Sequence, residues 1–457
     1  MLDKDTIAVI SSPQGQGAIS VIRLSGDKTH YVLEKIIKPK GEHKKYSHLK
    51  TNRNYLSIIH QEDEIIDEVI ITKLKKPNSF TGEDMAEIFC HGSIYIQNKI
   101  MEILSDSGVR TARPGEFSLR SYLNGKMDLI QAEGISDLIS SNTEANHRLA
   151  MNQMRGGVGS EIKKLRDDLV KFASLIELEL DFSEEDVEFA SRKKLISLLN
   201  NVDEFMSRLI DSFKYGNSLK EGIPVSIVGA PNVGKSTLLN SILNEDKAIT
   251  SSIPGTTRDI IEDKFNLKGT LFRFIDTAGI RKTDDDIEKI GISRTLESIK
   301  NSEIILFLVD STSPNKIIDN QIKEANKLKR KYSQKKIIII FTKIDLKNNL
   351  NDSFKSNSIS INTKEQKDIM EIKKIILENL SKEYTNQVTI TNTRHYSALS
   401  HARKEINEVQ KGIKNGIPSD LLSVDLKQAI YHLGEITGEV TNDEILSNIF
   451  SKFCIGK

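Results

Sequence analysis

Cross-linking cysteines, export signals and membrane-spanning segments are scarce or missing in this sequence. Two cysteines in 457 residues cannot cross-link a chain of this length, and such a composition favours a reducing compartment. The first ten residues, MLDKDTIAVI, carry acids where a signal peptide has a basic stretch followed by a long apolar one. Apolar runs such as Ile337–Phe341 are far too short to span a bilayer. We therefore expect a soluble protein of the cytoplasm that has no membrane partner.

An excess of charge of either sign is also lacking. Lysine and arginine total 65 against 64 aspartate and glutamate residues, so the formal net charge is +1. This balance argues against a strongly basic nucleic-acid-binding protein, so any contact with nucleic acid must come from a local patch or a partner. Cys90 and His91 are neighbours, but no second cluster of cysteine and histidine accompanies them, which argues against a zinc site.

Three patterns follow one another along the chain, whose length suits roughly three domains. Short β-like runs such as AISVIRL and EVIITKL occur up to about Leu119, whereas apolar residues over 195–213 recur at helical spacing. Between Gly222 and about Leu380 apolar runs alternate with helical segments, which predicts a mostly parallel sheet. The predicted fold class is therefore multidomain α/β plus α. It has an α+β domain over 1–119, a helical domain over 120–221 and 381–457, and an inserted α/β domain over 222–380.

The segment GAPNVGKST has the spacing of a phosphate-binding P-loop. Its G-x-x-x-x-G-K-S positions are Gly229, Gly234, Lys235 and Ser236, after the strand-like VSIV and before the helical TLLNSIL. Glycines let backbone N–H groups curl around a phosphate, and the helix N-terminus adds positive potential. We expect Lys235 to reach the β- and γ-phosphates and Ser236 to ligate Mg²⁺.

Three further motifs follow in the order typical of translation-factor-like GTPases. GTTRD and DTAG offer hydroxyls, a carboxylate and a backbone N–H for Mg²⁺ and the γ-phosphate. In TKID, the carboxylate of Asp345 can accept two hydrogen bonds from guanine, a pair that adenine lacks. Together with these motifs, the resemblance to such GTPases implies GTP contacts at Asn232, Val233, Gly234, Lys235, Ser236, Thr237, Ser251, Ser252, Ile253, Pro254, Gly255, Thr256, Thr257, Asp276, Thr277, Ala278, Gly279, Thr342, Lys343, Asp345 and Ser360. The domain over 222–380 is thus predicted to be a Ras-like P-loop G domain.

Two departures from the usual pattern affect guanine binding. Thr342 replaces the usual asparagine of N-K-x-D, so we expect one contact to the base or to the P-loop to be lost. The last base-contacting loop is predicted at SIN, Ser360–Asn362. The SAL that begins at Ser397 lies in the helical part of the chain and is predicted to be unrelated.

The group that orients the attacking water is not the one found in small regulatory GTPases. Those proteins have a glutamine where this chain has Ile280, which cannot form a hydrogen bond. The candidate catalytic residues are Lys235 of the P-loop and, in the acidic RKTDDDIEKIG, Arg281 and Glu288, with a solvated loop as the alternative for the last two. Asn232 could help to hold a monovalent cation where an arginine finger would supply positive charge.

On several motifs taken together, the sequence resembles the MnmE or TrmE family of tRNA wobble-uridine modification GTPases. These motifs are GAPNVGKS, GTTRD, DTAG followed by an apolar residue, PNSFTGED, ARPGEFSLR and the terminal FCIGK. The resemblance covers essentially the whole chain and implies a homodimer, joined through the N-terminal domains, whose G domains pair when GTP and K⁺ are bound. It also implies a flavin-dependent partner, which carries FAD, in a heterotetramer or larger complex.

The resemblance further implies the reaction and the residues that serve it. An aminomethyl or carboxymethylaminomethyl group is added to carbon 5 of U34 in certain tRNAs, with the one-carbon unit taken from 5-formyl- or methylene-tetrahydrofolate. The family's potassium ligands fall on Asn232, Ser251, Ile253 and Thr256, its magnesium ligands on Ser236 and Thr257, and its catalytic acid on Glu288. Its folate contacts fall on Arg23, Glu87, Lys126 and Lys457.

Two other functions compete with this interpretation. A ribosome-assembly GTPase shares the G domain but usually carries a basic RNA-binding module, which the net charge does not offer. A membrane-anchored signalling switch needs a lipidated terminus and a catalytic glutamine. Ile280 stands where that glutamine would be. In the terminal CIGK, Gly456 is not the aliphatic residue of a prenylation signal and Lys457 is not a usual end residue.

The last residues are predicted to pack into the protein. The helical stripe consists of Ile445, Leu446, Ile449, Phe450 and Phe453. It would direct Cys454 and Lys457 towards the folate site, across the proposed dimer. Cys454 is then either a packed residue or a functional thiol near the one-carbon chemistry.

Overall fold

The computed structural model describes residues 5–181, 192–247, 264–275, 296–346, 358–379, 389–451 and 453. The chain divides into two units, each assembled from separate segments. The first contains Met1–Ser140, Ala150–Asp203 and Ala398–Lys457, and the second contains Ser141–Leu149 and Glu204–Ser397. Among the described residues, no helix has the length and apolarity needed to cross a membrane.

Strands and helices with defined bounds account for most of the described chain. The strands are β1 (Ile7–Ile10), β2 (Ile19–Ser25), β3 (Ile37–Pro39), β4 (Asn54–Gln61), β5 (Glu64–Leu74), β6 (Met85–His91), β7 (Arg110–Thr111), β8 (Ile223–Gly229), β9 (Lys264–Leu267), β10 (Thr270–Phe274), β11 (Ile304–Asp310), β12 (Lys336–Thr342) and β13 (Ser358–Ser360). The helices are α1 (Thr29–Ile36), α2 (Ile94–Asp106), α3 (Glu116–Leu123), α4 (Leu129–Ser140), α5 (Glu144–Met154), α6 (Gly157–Asp181), α7 (Arg192–Glu221), α8 (Lys235–Lys247), α9 (Asn315–Lys331), α10 (Gln366–Glu378), α11 (Thr393–Lys414), α12 (Ser419–Thr437) and α13 (Asp443–Phe450). Short 3₁₀ turns occupy Tyr46–His48 and Ile344–Leu346.

A sheet of seven described strands forms the N-terminal part of the first unit. Its order is β3-β4-β5-β6-β2-β1-β7, antiparallel except for the β1–β7 pair. Because side chains alternate along a strand, one face buries apolar residues such as Ile22, Ile71 and Ile88 against α1 and α2. On the other face the register aligns an apolar row of Leu56, Ile70, Phe89 and Val21. Leu56 is 51% exposed and Ile70 is 44% exposed.

Helices complete the first unit. The first half of α7 buries Leu195, Leu199 and Val202, as its helical spacing predicts. Asn442 directly precedes helix α13, and its side chain caps the helix by accepting a hydrogen bond from Ile445 N at 2.8 Å. The predicted C-terminal stripe is confirmed in its core members, since Leu446, Phe450 and Phe453 pack against Leu129 and Ala132 of α4.

The second unit contains a mainly parallel sheet of six described strands. Its order is β13-β12-β11-β8-β10-β9, and β9 alone runs antiparallel to its neighbour β10. Buried residues of α8 and α10 pack on one face and those of α9 on the other. The predicted fold class is confirmed by this α/β sheet, the N-terminal α+β part and the helices of the first unit. The exact domain boundaries remain predictions.

Candidate functional site

The P-loop connects β8 to α8 at the carboxyl edge of the parallel sheet. Gly229 has φ +152°, and it approaches β11 so closely that an added Cβ would lie 2.6 Å from Leu308 O. Positive φ values of 60° at Asn232 and 100° at Gly234 curl the loop, and α8 begins at Lys235. The predicted strand–loop–helix arrangement is therefore confirmed, and it is the arrangement that receives phosphate at a helix N-terminus.

The amino group of Lys235 lies against this loop. Its Nζ donates to Gly229 O at 3.0 Å and to Ala230 O at 2.8 Å. Burial lowers the pKa of this amino group. Within the described residues its bonds are to carbonyl oxygens, so the charge of the ammonium remains to be matched by an anion such as phosphate. Of the following residues, Ser236 is half-buried and Thr237 is exposed.

Thr342 connects the base-reading motif to the P-loop. Its fully buried hydroxyl donates to Val233 O at 2.7 Å, across a sequence separation of 109 residues. The expected loss of a P-loop contact is therefore not observed, because the shorter hydroxyl reaches the carbonyl directly. The consequence for contact with the base stays a prediction.

An acid that the sequence analysis missed orients the neighbouring lysine. Lys343 has φ +59°, and its Nζ lies 2.6 Å from Asp310 Oδ2 at the end of β11. Burial alone would raise the pKa of Asp310, but hydrogen bonds from Lys343 and Thr312 outweigh it and hold the pKa below its usual value. The sequence contained a signal for this pair. Asp310 ends the apolar run EIILFLVD, and the neighbouring parallel strand ends at Thr342, directly before Lys343.

The remaining base-reading candidates lie at the same edge of the sheet. Asp345 is exposed in the 3₁₀ turn that follows β12, and Ser360 ends the adjacent strand β13. The register pairs Phe341 with Ser360, so the two loops leave the sheet side by side. Ser397 lies within α11, in agreement with the prediction that its SAL is unrelated.

Several predicted site residues fall outside the described part of the chain. They are Ser251, Ser252, Ile253, Pro254, Gly255, Thr256, Thr257, Asp276, Thr277, Ala278, Gly279, Arg281, Glu288, Cys454 and Lys457. Strand β10 ends at Phe274, one residue before DTAG, and the intervening Ile275 N donates to Val225 O at 2.9 Å. The residue that precedes this motif is therefore held beside β8, the strand that leads into the P-loop.

The first unit brings two of the predicted folate contacts together. Arg23 on β2 and Glu87 on β6 are register partners, and Arg23 Nε lies 2.8 Å from Glu87 Oε1. Both side chains are partly exposed, at 25% and 22%. The guanidinium carbon of Arg23 is 6.0 Å from the ring centroid of Phe80. An accessible carboxylate beside a guanidinium suits a ligand with both N–H donors and a negative charge.

Lys126 is attached to the loop that borders this pair, and its Nζ donates to Pro77 O at 3.0 Å. The same loop is held by the end of α3. Ser121 Oγ donates to Phe80 O at 2.7 Å, and Asn124 Nδ2 donates to Thr81 O at 2.7 Å. Sequence analysis missed these two supporting residues, although both lie between the ARPGEF motif and Lys126.

Family models match the chain in two parts. A model described as "GTP-binding protein TrmE N-terminus" matches residues 6–126, and one described as "MnmE helical domain" matches residues 129–454. The chain is 49% identical to "tRNA modification GTPase MnmE" of Flavobacterium psychrophilum over 464 residues, covering 100% of both chains. It is 46% identical over 470 residues to the protein of the same name from Bacteroides thetaiotaomicron, again covering 100% of both.

Solved structures match at lower similarity. The FeoB G-domain from Methanococcus jannaschii is 21% identical with a TM-score of 0.24, and the match covers 34% of this chain and 96% of that one. The G domain of the T. maritima FeoB iron transporter is also 21% identical with a TM-score of 0.24, covering 36% and 99%. Similarity at this level supports no conclusion.

Proposed function

The chain belongs to the MnmE family of tRNA modification GTPases, and from this premise we propose that it uses GTP hydrolysis to drive modification of the wobble uridine. The observation that carries the proposal is the P-loop with its half-buried Lys235, tied through Thr342 to the TKID motif. The chain is thus a GTP hydrolase whose nucleotide site is built from strands of one sheet. The modified position would be carbon 5 of U34 in certain tRNAs.

The described residues fit GTP and Mg²⁺. Lys235 would bind the β- and γ-phosphates, Asp345 would read guanine, and the Ser236 hydroxyl at the start of α8 would ligate Mg²⁺. Bound Mg²⁺ would neutralise charge that develops on the phosphates. Thr257 would complete the metal site and Glu288 would orient the water, by analogy with the family.

We propose that K⁺ activates hydrolysis. Ile280 cannot orient water, and no arginine finger is evident in the motifs, so positive charge at the transferred phosphate must come from elsewhere. Asn232 projects from the curled P-loop at φ +60° and is exposed, which suits a ligand of a cation beside the phosphates. Ser251, Ile253 and Thr256 would supply its other oxygens.

We propose that tetrahydrofolate binds to the first unit. The Glu87 carboxylate can accept from a pterin's N–H groups, while Arg23 and Lys126 can bind the carboxylates of the glutamate tail. Lys457 would join them, and the Cys454 thiol would lie near the one-carbon chemistry. The bound folate would supply the one-carbon unit that is added to the uridine.

The partners follow from the same family membership. We propose a homodimer in which a second copy packs on the apolar row of Leu56, Ile70, Phe89 and Val21, beside the Arg23–Glu87 pair. A flavin-dependent protein that carries FAD would join the dimer in a heterotetramer or larger complex. The site of action would be the cytoplasm.

The decisive experiment is mass spectrometry of the U34 nucleoside in a strain that lacks the gene. We expect the modified nucleoside to disappear, to return with the wild-type gene, and to stay absent with a Lys235→Ala variant. Purified protein should hydrolyse GTP much faster in KCl than in NaCl. Unchanged U34 in the deletion strain would overturn the proposed function, and equal rates in the two salts would overturn the role of K⁺.

A further inference from the structure

One end of the N-terminal sheet carries a concentration of positive charge that the functions above do not use. We call it the basic end and define it by Lys44, Lys45, Lys50, Arg53, Lys73 and Lys75. All but the partly buried Lys73 are exposed. In a chain whose formal net charge is +1, such a cluster is a local feature rather than a consequence of composition.

The fold gathers these cations from two separate segments. The connection between β3 and β4 folds over the end of β5, where Asn52 N donates to Lys73 O at 2.9 Å. Lys73 Nζ in turn donates to Ser47 O at 3.3 Å and lies 4.9 Å from the ring centroid of Tyr46. Lys44, Lys45, Lys50 and Arg53 all belong to this connection, whereas Lys75 follows β5 directly.

The positive charge of this surface is only partly neutralised. Within the described residues, no ion pair involves the five exposed members. Nearby Glu34 accepts hydrogen bonds from the backbone N and the Oγ of Ser47, Glu42 is exposed, and Asp27 lies 3.6 Å from the neighbouring Lys76. Burial lowers the pKa of Lys73, and the charge of Lys75 adds to this effect, whereas the charges of Glu34 and Asp84 oppose it.

The β4–β5 hairpin is polarised along its length, and the basic end borders the proposed folate contacts. Its turn carries the acids Glu62, Asp63 and Glu64, so the cations are confined to the opposite end. At that end the register aligns Thr72 with Glu87, and Glu87 with Arg23, whereas the side chain of the neighbouring Lys73 points to the opposite face of the sheet, towards Tyr46. Two strand spacings, roughly 10 Å, thus separate the basic strand end from Arg23.

We propose that the basic end binds the sugar–phosphate backbone of the tRNA substrate and holds the anticodon arm beside the Arg23–Glu87 pair. The proposal rests on the proposed function, which requires the wobble base to approach a folate-borne carbon. Backbone phosphates are the feature of tRNA that exposed lysines and arginines recognise without regard to sequence. The location also explains how a chain of balanced charge can contact RNA.

The test compares two variants of the full chain that each remove three lysines and one arginine. The first is Lys44→Gln, Lys45→Gln, Lys50→Gln and Arg53→Gln. The matched control is Lys323→Gln, Lys327→Gln, Arg330→Gln and Lys336→Gln, four exposed positions of the second unit. The probe is a synthetic RNA hairpin with the sequence of a tRNA anticodon arm and an unmodified U34, and anisotropy is measured over a range of KCl concentrations.

We expect the basic-end variant to bind the hairpin at least tenfold more weakly at low salt, with the control within twofold of wild type. Each lost phosphate contact removes about 0.7–0.9 from the slope of log K against log [salt], so four contacts should reduce the slope by roughly three. GTP hydrolysis should be unchanged in both variants. A charge-preserving variant, Lys44→Arg, Lys45→Arg, Lys50→Arg and Arg53→Lys, should restore binding, which separates charge from folding.

Three outcomes would overturn the proposal. In the first, the basic-end variant has the RNA affinity and the salt slope of the wild type. In the second, the control variant loses as much RNA affinity as the basic-end variant. In the third, the wild-type protein shows no salt-dependent binding to the hairpin. If the basic-end variant loses binding to phosphatidylglycerol vesicles but keeps its RNA binding, the surface is instead assigned to a membrane. U34 analysis in the deletion strain tests the proposed function independently, because it does not depend on where the tRNA binds.

Discussion

At the residue level, Thr342 shows how a hydroxyl can replace the amide usual at this position. The hydroxyl is fully buried and bonded to Val233 O at 2.7 Å, so the P-loop and the base-reading loop share one rigid contact. A buried carbonyl that loses a hydrogen-bond donor is left less well satisfied, which costs free energy. The strength of GTP binding should therefore depend on this oxygen.

We predict that Thr342→Val weakens GTP binding, because valine has the same shape but cannot donate to Val233 O. An unsatisfied buried group costs about 1–3 kcal/mol, or roughly fivefold to a hundredfold in Kd. Titration with a fluorescent GTP analogue measures the change. Thr342→Ser keeps the hydroxyl and should bind nearly as wild type, and equal affinity of the valine and serine variants would contradict the assignment.

His30 makes a second residue-level prediction, about pH. Its Nδ1 lies 2.9 Å from Tyr46 Oη, and its Nε2 lies 3.9 Å from Asp84 Oδ1. Burial lowers the pKa of His30, and the charges of Lys73 and Lys75 lower it further, against the opposing effect of Asp84. The unfolded chain therefore binds a proton at this histidine at higher pH than the folded chain does.

Stability should consequently fall as pH drops below about 6.5, the ordinary histidine pKa, and continue to fall towards the lower folded-state pKa. We predict that His30→Gln reduces this loss, measured as the difference in unfolding free energy from urea titrations at pH 7.5 and 5.5. His48→Gln, at an exposed position, controls for the loss of a histidine. The same pH dependence in His30→Gln and wild type would refute the prediction.

At the element level, α3 is packed between the C-terminal helix and the loop beside the Arg23–Glu87 pair. Gly115 before α3 has φ +69°, and an added Cβ there would lie 2.3 Å from Phe450 O, so only glycine fits. Arg120 of α3 is buried and lies 3.1 Å from Glu116 and 3.2 Å from Glu83. The close packing at Gly115 and the ion pairs of Arg120 thus give a structural reason for the glycine and for the last residue of the ARPGEFSLR motif.

We predict that Ser121→Ala combined with Asn124→Ala weakens folate binding, because the loop at Phe80 and Thr81 loses both hydrogen bonds from α3. Each bond contributes about 0.5–1.5 kcal/mol, so an affinity loss of roughly tenfold is expected. Calorimetric titration with 5-formyltetrahydrofolate measures it. Ser118→Ala is the control, since the Ser118 hydroxyl is buried in the same helix and has no hydrogen-bond partner among the described residues.

Wild-type affinity in the double variant would show that the loop is held without α3. If the wild-type protein binds no folate, the proposed folate site is wrong, and so is the proposed support of that site by α3. Lost affinity in the Ser118→Ala control as well would indicate a general disturbance of the helix.

Elements were more predictable from the sequence than the contacts between them. Apolar runs and the P-loop spacing predict β8, β11, β12 and the start of α8, because periodicity and glycine positions are local properties. The Thr342–Val233 bond joins residues 109 positions apart, and Asp310 meets Lys343 only because two parallel strands end together. Such pairings depend on register, which no single run of residues reveals.

At the level of the whole molecule, the proposed chemistry is divided between the two units. The P-loop and base-reading motifs belong to the second unit, whereas Arg23, Glu87 and the C-terminal helix belong to the first. The chain passes from one unit to the other within helices α5, α7 and α11, each of which contributes residues to both units. A change confined to the end of the first unit should therefore leave the nucleotide site intact.

Deletion of the last four residues, CIGK, tests this division. Phe453 is 5% exposed and packs with Leu446, Phe450 and Leu129, so a chain that ends at Phe453 keeps this cluster. We predict that the truncated protein retains K⁺-stimulated GTP hydrolysis and thermal stability but no longer modifies U34, because Cys454 and Lys457 are lost from the proposed folate site. Phe453→Ala is the contrasting variant and should cost about 3–5 kcal/mol of unfolding free energy. Full U34 modification by the truncated protein would show that the terminal residues take no part in the chemistry, whereas lost GTP hydrolysis would show that the two units are not independent.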